Sequence, residues 1–595
     1  MNPIDTCIII GYLAVIVVSG LLLSRKASLN LDSYFLGGKT VPWYLLGASN
    51  ASSMFDIAGT MYLVTLLFVY GLKSAWLPWL WPTFNTVFMA VYISKWLRRS
   101  NAMTGSEWIR TRFGDKLGAE LAQISVAIFA LIWTVAFMAY AFQGIGKFTA
   151  VFLPWDLHPN VYAIIIMGFT ALYVIFGGMY SVVVTDLIQF TIMIVCSIIV
   201  AIIAMNKVSP EALNAVIPDG WKNVFFGWEM NIDWSTLIPQ VNEVIKDHAY
   251  SPFGFFFIMM MFKGLIGSLA GPAPNYDMQR ILATRSAKEA AGMSAFTSAV
   301  LFLPRYLLIT GITILGLVFF SEDLLAMGDK VDFEQVFPYV INNFIPPGLF
   351  GFLIAGLLAA FMSTFSSTIN AGAAYAANDI YKRYINPNAS SKKYVHVGYI
   401  CSLGLVITGI VAGLMVSSID QMLQWIVAGL TGGYIAPNIL KWYWWRLNGV
   451  GYFGGMIIGM SVSLILPVAL PGLHPLYGFP IILVLSLAGT VVASLMSKPD
   501  DEQVTKNFYK NVRPWGLWKP VHAKVIAEDP DFKKNSNFRR DMFNIAVGII
   551  WQLTFTVIPI FLVIREFKPM WITVAVLLVT TGVLKKTWYD KLKEE

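Results

Sequence analysis

Five hydroxyl side chains crowd one short stretch of an otherwise apolar segment: Ser363, Thr364, Ser366, Ser367 and Thr368, with Asn370 just beyond them. On a helix, Ser363, Ser366 and Ser367 fall three and four positions apart, so one face presents several oxygens. Gly356, Ala359 and Ala360 precede them, and such small residues let another backbone approach closely. Oxygen donors without nitrogen or sulfur suit a hard cation such as sodium. Serines in membrane helices also bond their own i−4 carbonyls or tie helices together. Five hydroxyls and an asparagine in one place favour the cation site.

Three other places carry chemistry. The run Gly47-Ala48-Ser49-Asn50-Ala51-Ser52-Ser53-Met54-Phe55-Asp56-Ile57-Ala58-Gly59-Thr60 is rich in small residues and holds a carboxylate deep in an apolar segment. It makes a poor continuous helix. A broken helix frees carbonyls, which a membrane tolerates where they line a cavity or bind something. Asp186 lies inside another apolar segment, where a carboxylate is costly and pairs with a cation or caps a helix start. Lys263 and Arg305 are also intramembrane; they either pair structurally, as Asp56 with Lys263, or meet a polar or anionic substrate.

The elements that position these groups are transmembrane helices. The chain has 595 residues, 57% of them hydrophobic and 13% charged. Apolar stretches long enough to cross a bilayer recur from end to end, which excludes a soluble multidomain enzyme and, lacking short alternating strands, a β-barrel. Fifteen spans are expected: 4–24, 42–71, 75–97, 118–152, 159–179, 181–206, 253–274, 288–320, 349–381, 395–418, 420–446, 450–471, 477–497, 542–564 and 569–586.

Arg25-Lys26 after the first span put the amino terminus outside and read that span as a retained helix. Threaded from there, 32 of the 42 Lys and Arg fall in inner loops, and this accounts for the net charge of +8 without nucleic acid. The outer loop 207–252, with Trp221, Trp228 and Trp234, is expected to lie on the membrane surface. The basic, proline-bearing segment 498–541 is expected as an inner linker touching anionic lipid, with no folded domain. Cys7, Cys196 and Cys401 have no metal or disulfide spacing, and Gly37-Gly38-Lys39-Thr40 lacks the earlier glycine of a nucleotide-binding loop.

Several motifs together resemble the sodium:solute symporter family, which includes sodium/galactose, sodium/proline and sodium/sialic acid transporters. They are Tyr34-Phe35-Leu36-Gly37-Gly38-Lys39, Gly47-Ala48-Ser49, Thr104-Gly105-Ser106-Glu107 on to Arg112-Phe113-Gly114, and Thr185-Asp186-Leu187-Ile188-Gln189. Gln279-Arg280, Ala360 to Asn370 with Asp379-Ile380-Tyr381-Lys382-Arg383, and Trp445-Arg446-Leu447-Asn448 with Gly451 complete the set. The resemblance covers about residues 1–470.

It implies an all-α polytopic membrane protein with a LeuT-type inverted 5+5 helix repeat, one leading helix and extra C-terminal helices. The divisions are 1–41, leading helix and inner loop; 42–206, first repeat; 207–252, outer loop; 253–446, second repeat; 447–497, two further helices; 498–541, basic linker; and 542–595, C-terminal helices and tail. A first sodium ion would be held by main-chain oxygens of Ser52, Phe55 and Ala360 and the hydroxyls of Ser363 and Thr364. A second would be held by Asp186, Ser363, Ser366 and Ser367.

Candidate substrate contacts are Asp56, Gln424, Lys263, Arg305 and Trp81. Gln424 falls where sugar-transporting members place a glutamine. Other sugar-contact positions fall on Gly59, Pro78, Trp81, Gly267 and Leu301, and an aromatic gate position falls on Ala270.

The expected function is sodium-coupled import of a small polar organic solute, sugar-like ahead of others, by alternating access. The partners are Na+, the solute and the bilayer; the protein is a monomer or weak homo-oligomer in the plasma (inner) membrane, with its carboxyl terminus cytoplasmic. A proton-coupled symporter using Asp56 or Asp186, and a transporter for an organic anion or amino acid, stand as alternatives. No catalytic group is expected, the five histidines lying in or near loops.

Overall fold

A computed structural model describes residues 2–27, 29–80, 85–225, 232–247, 263–328, 333, 336–416, 431–473 and 475–592. The chain is helical because apolar segments in lipid must satisfy their backbone internally. Among the described residues no named strand occurs, only an isolated bridge between Trp444 and Leu517.

The helices that matter here are α1 (Pro3–Ala27), α2 (Trp43–Met54), α3 (Ile57–Tyr70), α4 (Gly105–Phe113), α5 (Leu117–Phe152), α6 (Pro159–Lys207), α7 (Tyr276–Ala283) and α8 (Ala287–Phe319). They continue with α9 (Leu349–Ala374), α10 (Ser391–Leu414), α11 (Thr431–Tyr443), α12 (Gly449–Ala469), α13 (Pro475–Met496), α14 (Glu502–Val512), α15 (Lys519–Glu528), α16 (Phe538–Val563) and α17 (Phe567–Thr587).

Eleven helices among the described residues are long and apolar enough to cross a bilayer. Fifteen crossings were expected, and the difference has local causes. The 49 residues of α6 hold two expected spans, because the helical run continues through a non-helical Gly178 (φ 51°, ψ −151°). At about 1.5 Å per residue that length exceeds a hydrocarbon core of about 30 Å more than twofold. The kink at Gly178 therefore separates two crossings. Only glycine suits that φ, and a Cβ there would lie 2.5 Å from the carbonyl oxygen of Tyr34. The expected spans 253–274 and 420–446 fall partly outside the described residues.

The expected span 42–71 is divided into α2 and α3, with Phe55 and Asp56 between them. Asp56 caps α3, accepting from Gly59 N at 2.7 Å. The hydroxyl-rich α9 lies in the middle of the bundle, buried along nearly its whole length, and packs against α6, α1, α5 and α2.

Two loop expectations change. Trp221 and Trp234 are fully buried instead of lying on a membrane surface. Their indole N–H groups donate to the carbonyls of Phe68 and Val69, each at 3.0 Å. These carbonyls end α3 and have no partner within the helix, so the two tryptophans cap it. Trp228 lies outside the described residues.

Residues 498–541 form α14 and α15, which pack on the rest of the protein as a folded collar. Trp518 donates to the carbonyl of Trp442 at 2.8 Å, and Trp515 stacks on Tyr443 at 5.0 Å. Beneath them Arg112 of α4 is fully buried and donates to the carbonyls of Lys441, Trp444, Trp445 and Leu447 at 3.1–3.3 Å. The rings of Phe508 and Trp518 cover it at 5.2 and 5.0 Å. Asp500 stands 4.0 Å away. Burial pushes the Asp500 carboxyl up to about 6, against the pull of the Arg112 charge. The prolines and charges of this segment suggested a linker; its buried aromatics show why it folds.

Candidate ion and solute site

The break between α2 and α3 meets the hydroxyl face of α9. Thr364 Oγ1 lies 2.7 Å from the carbonyl oxygen of Ser53 and 3.1 Å from that of Ala360. Ser53 Oγ lies 2.7 Å from Ser367 Oγ and 3.4 Å from Ser363 Oγ. Ser52, Phe55, Ala360, Ser363 and Thr364 are all buried at this contact, and the Ser52 hydroxyl has no hydrogen-bond partner among the described residues. A void of about 10 Å³, room for about one water-sized particle, touches Phe55 and Ala360.

One turn along, Asp186 of α6 joins the same cluster. Its Oδ1 accepts from Ser363 at 2.7 Å and its Oδ2 from Ser49 at 2.5 Å. The guanidinium of Arg280, carried by α7, reaches the same oxygens, with Nη2 2.9 Å from Asp186 Oδ2 and 2.6 Å from Ser367 Oγ. Of the four residues expected to hold a second ion, Asp186 and Ser367 contact this cation, Ser363 donates to Asp186 instead, and Ser366 turns its hydroxyl to the carbonyl of Ser363 at 3.0 Å. Two like charges about 4 Å apart repel by about 4 kcal/mol at an effective dielectric of about 20. A sodium ion placed here would meet the charge of Arg280.

The third part is a cavity of about 240 Å³, walled by the aromatics Trp133, Phe137 and Tyr276. Asp56, Lys263 and Arg305 all line it. The expected pairing of Asp56 with Lys263 gives way to a different one: Arg305 Nη2 lies 3.1 Å from Asp56 Oδ1, and its Nη1 donates to the freed carbonyl of Met54 at 2.9 Å. Arg305 is brought to the break because α8 packs directly on α2 and α3. Tyr140 donates to Asp56 Oδ2 at 2.8 Å. Gly59 makes room for the pair, since a Cβ there would lie 2.6 Å from Asp56 Oδ1 and 3.0 Å from Arg305 Nη2. Lys263 Nζ faces the ring of Phe479 at 5.6 Å.

Gly59, Pro78, Gly267 and Ala270 line the cavity, and Leu301 does not. Gln424 and Trp81 lie outside the described residues.

Sequence reasoning missed three cavity groups and one ion-site group. Asn50 and Asp277 line the cavity, and each has a buried side-chain oxygen without a hydrogen-bond partner among the described residues, as has Arg305 Nε. Asn50 sat within the small-residue run, and Asp277 two residues before Gln279-Arg280, so both were within reach of the motifs. Arg280 was noted as part of a motif but given no role. Tyr140 gave no signal, being one aromatic among many on an apolar helix.

A profile described as the sodium:solute symporter family matches residues 34–459. The chain is 25% identical over 549 residues to the sodium/glucose cotransporter of Vibrio parahaemolyticus, covering 87% of this chain and 96% of that one. It is 24% identical over 586 residues to sodium/glucose cotransporter 4 of Danio rerio, covering 89% and 83%. Among solved structures, the substrate-bound outward-open state of a Na+-coupled sialic acid symporter superposes with a TM-score of 0.67 at 18% identity, covering 84% of this chain and 99% of that one. That likeness bears on the fold, which is the LeuT-type arrangement expected above.

Proposed function

Because the chain belongs to the sodium:solute symporter family and is a sodium-coupled membrane transporter, we propose that its cargo is a small, hydroxyl-rich, sugar-like solute bound in the cavity beside Asp56 and Arg305. The observation that carries this reading is a set of unsatisfied groups. Asn50 Oδ1, Asp277 Oδ1 and Arg305 Nε belong to residues that line the cavity and are buried with no hydrogen-bond partner among the described residues. Two acceptors and a donor call for a ligand bearing several hydroxyls, because unpaired buried polar groups cost about 1–3 kcal/mol each. The names of the two cotransporter relatives support a sugar.

Sodium would bind where α2 breaks against α9, with main-chain oxygens of Ser52, Phe55 and Ala360 and the hydroxyls of Ser363 and Thr364. Both helical repeats contribute, so the ion ties them together. Asp56 sits at the same break and lines the cavity, which supports a reading with ion and solute on opposite sides of one kink. Sodium binding steadies the break, the steadied break orders the cavity, and the two ligands raise each other's affinity by the same factor. Loss of sodium on the inner side then frees the solute. The amino terminus lies outside and the 498–541 collar inside, the arrangement supported by the basic inner loops. One chain supplies every group named, which is compatible with a monomer or a weak homo-oligomer.

A second reading is favoured by Lys263. Its ammonium lines the cavity and has an aromatic face at 5.6 Å, so an organic anion such as a sugar acid would find a counter-charge there.

Thermal-shift measurements of the purified protein against paired neutral sugars and their acids, in sodium and in potassium, test both. Stabilisation by neutral sugars in sodium alone supports the main reading. Stabilisation by acids alone, lost in Lys263→Gln, replaces it with the second. Equal stabilisation in both salts refutes sodium coupling at this site.

A further inference from the structure

We propose that a second cavity, between the two C-terminal helices and the core, seats an acyl chain of an anionic phospholipid whose phosphate meets Lys585.

The cavity holds about 260 Å³. Its walls come from α16, α17, α8 and the helical stretch 85–93, which closes with a π-helical turn, Met89–Ile93. From Asn544 to Trp551 the lining runs about 10 Å along α16. Gly548 lets α16 come this close to the core, since a Cβ there would lie 2.6 Å from the side chain of Val87.

The polar groups of the interior are spent within the protein. Trp551 donates to Thr581 Oγ1 at 2.9 Å, and Thr581 donates to the carbonyl of Leu577 at 2.7 Å. Trp588 donates to the carbonyl of Ala90 at 3.1 Å, and Ser298 to that of Ser294 at 3.4 Å. Asn544 accepts from the hydroxyl of Thr587 at 2.6 Å and donates to its carbonyl at 3.4 Å. What remains for a ligand is hydrocarbon, from residues such as Val87, Val91, Ala295 and Leu584. A sugar would leave its hydroxyls unpaired here, and an alkyl chain has none to lose.

The rim is different. Lys585 and Tyr589 line the cavity at the end of α17, and both are exposed. Lys585 forms no ion pair among the described residues. With α16 starting just after the collar and α17 crossing back, this end lies on the collar's side of the membrane, where Trp588 and Tyr589 are interfacial aromatics. Basic pockets between membrane helices on the inner face suit phospholipid headgroups. An apolar interior with a cation at its rim selects an amphiphile with an anionic head. A free phosphate would use the cation alone, and a neutral lipid the interior alone.

The seat backs onto the larger cavity beside Asp56. Val87, Ala90 and Val91 line the seat, whereas Thr86 and Met89 from the same turns line the larger cavity. Gln552 of α16 accepts from Thr86 at 2.9 Å, across the same partition. A seated chain therefore braces the stretch 85–93. Its bearing on transport rests on the reading of the larger cavity as the solute's, and the lipid seat does not.

Full-length protein purified in neutral detergent is titrated with phosphatidylglycerol and with phosphatidylcholine of identical chains, and its melting temperature is followed. The expected result is about fivefold tighter apparent binding of phosphatidylglycerol in the wild type. That preference should vanish in Lys585→Gln and persist in Lys586→Gln, whose lysine lies outside the cavity. Ala295→Phe, which fills the cavity, should weaken both lipids. If it does not fold, Lys585→Glu at an exposed position decides, by binding phosphatidylglycerol more weakly than phosphatidylcholine. Hydrogen exchange at residues 85–93 should slow when phosphatidylglycerol is added to the wild type. Equal affinity for the two lipids, the same loss in Lys586→Gln as in Lys585→Gln, stabilisation by glycerol phosphate alone, or unchanged exchange at 85–93 overturns the proposal. Failure of every sugar and sugar acid to stabilise the protein would refute the solute reading and leave these lipid outcomes untouched.

Discussion

The hydroxyl of Thr364 donates to the carbonyl oxygen of Ser53 at 2.7 Å, fastening the last turn of α2 to the middle of α9. The helix that breaks and the helix that supplies hydroxyls are therefore in direct contact. An ion placed there touches both, and its presence or absence is felt by both.

Replacing Thr364 with alanine removes one oxygen from the shell and leaves the Ser53 carbonyl without this donor. A hydrogen-bonding group beside a charge is worth about 1.5–3 kcal/mol. The sodium concentration for half-maximal uptake should rise by about tenfold or more, with a larger effect in the double variant with Ser363→Ala. A sodium titration of uptake measures it, and an unshifted curve in normally expressed protein removes Thr364 from the ligand set.

Asp56→Asn breaks the pair with Arg305 beside the cavity, leaving the guanidinium only 11% exposed and short of its counter-charge. Losing one partner of a buried pair costs about 3–5 kcal/mol, and here somewhat less because Asp56 is 18% exposed. The melting temperature should fall and solute-induced stabilisation should vanish. If the variant melts like the wild type and still responds to solute, Asp56 has no part in the site.

The collar makes stability depend on acidity. Burial raises Asp500 from an ordinary 3.8 to about 6, so the folded chain holds a proton there that the unfolded chain has released. Between these values folding takes up a proton, and stability from this group is present at low pH and lost as pH rises through about 6. The wild type should therefore gain more in melting temperature than Asp500→Asn when the pH is lowered from 8 to 5. Parallel curves for the two proteins would refute this.

Trp221→Phe keeps most of the apolar volume at the end of α3 but deletes the donor to the Phe68 carbonyl. The unsatisfied carbonyl should cost about 1–3 kcal/mol, and the same holds for Trp234→Phe at Val69. Melting temperatures of the single and double variants would show additive losses. No loss in either would mean that water serves the carbonyls equally well.

Much of the site was legible because membranes penalise polarity. A carboxylate at Asp56 or Asp186, or a guanidinium at Arg305, is conspicuous against apolar neighbours, and the small-residue run before Asp56 announced its break. Pairing was not legible. Nothing in the spacing of Asp56, Lys263 and Arg305 shows which cation reaches the carboxylate, since that depends on how α8 lies across the kink. Arg280 was hidden for a different reason: it sits in a polar stretch, where a charge attracts no notice, and only the fold carries it to Asp186. The collar was misjudged because its buried rings, Phe508, Trp515 and Trp518, are spaced among lysines and prolines.

Arg112 has a consequence for how the chain is made. Its four carbonyl partners lie at 441–447, and two of the rings that cover it are Phe508 and Trp518. Synthesis runs from the amino end, so this guanidinium leaves the ribosome roughly 300–400 residues before its burial can be completed. Until then it must stay wet or borrow a lipid phosphate. A nascent chain stopped before residue 498 would keep that charge uncovered, and could be recognised by it as unfinished.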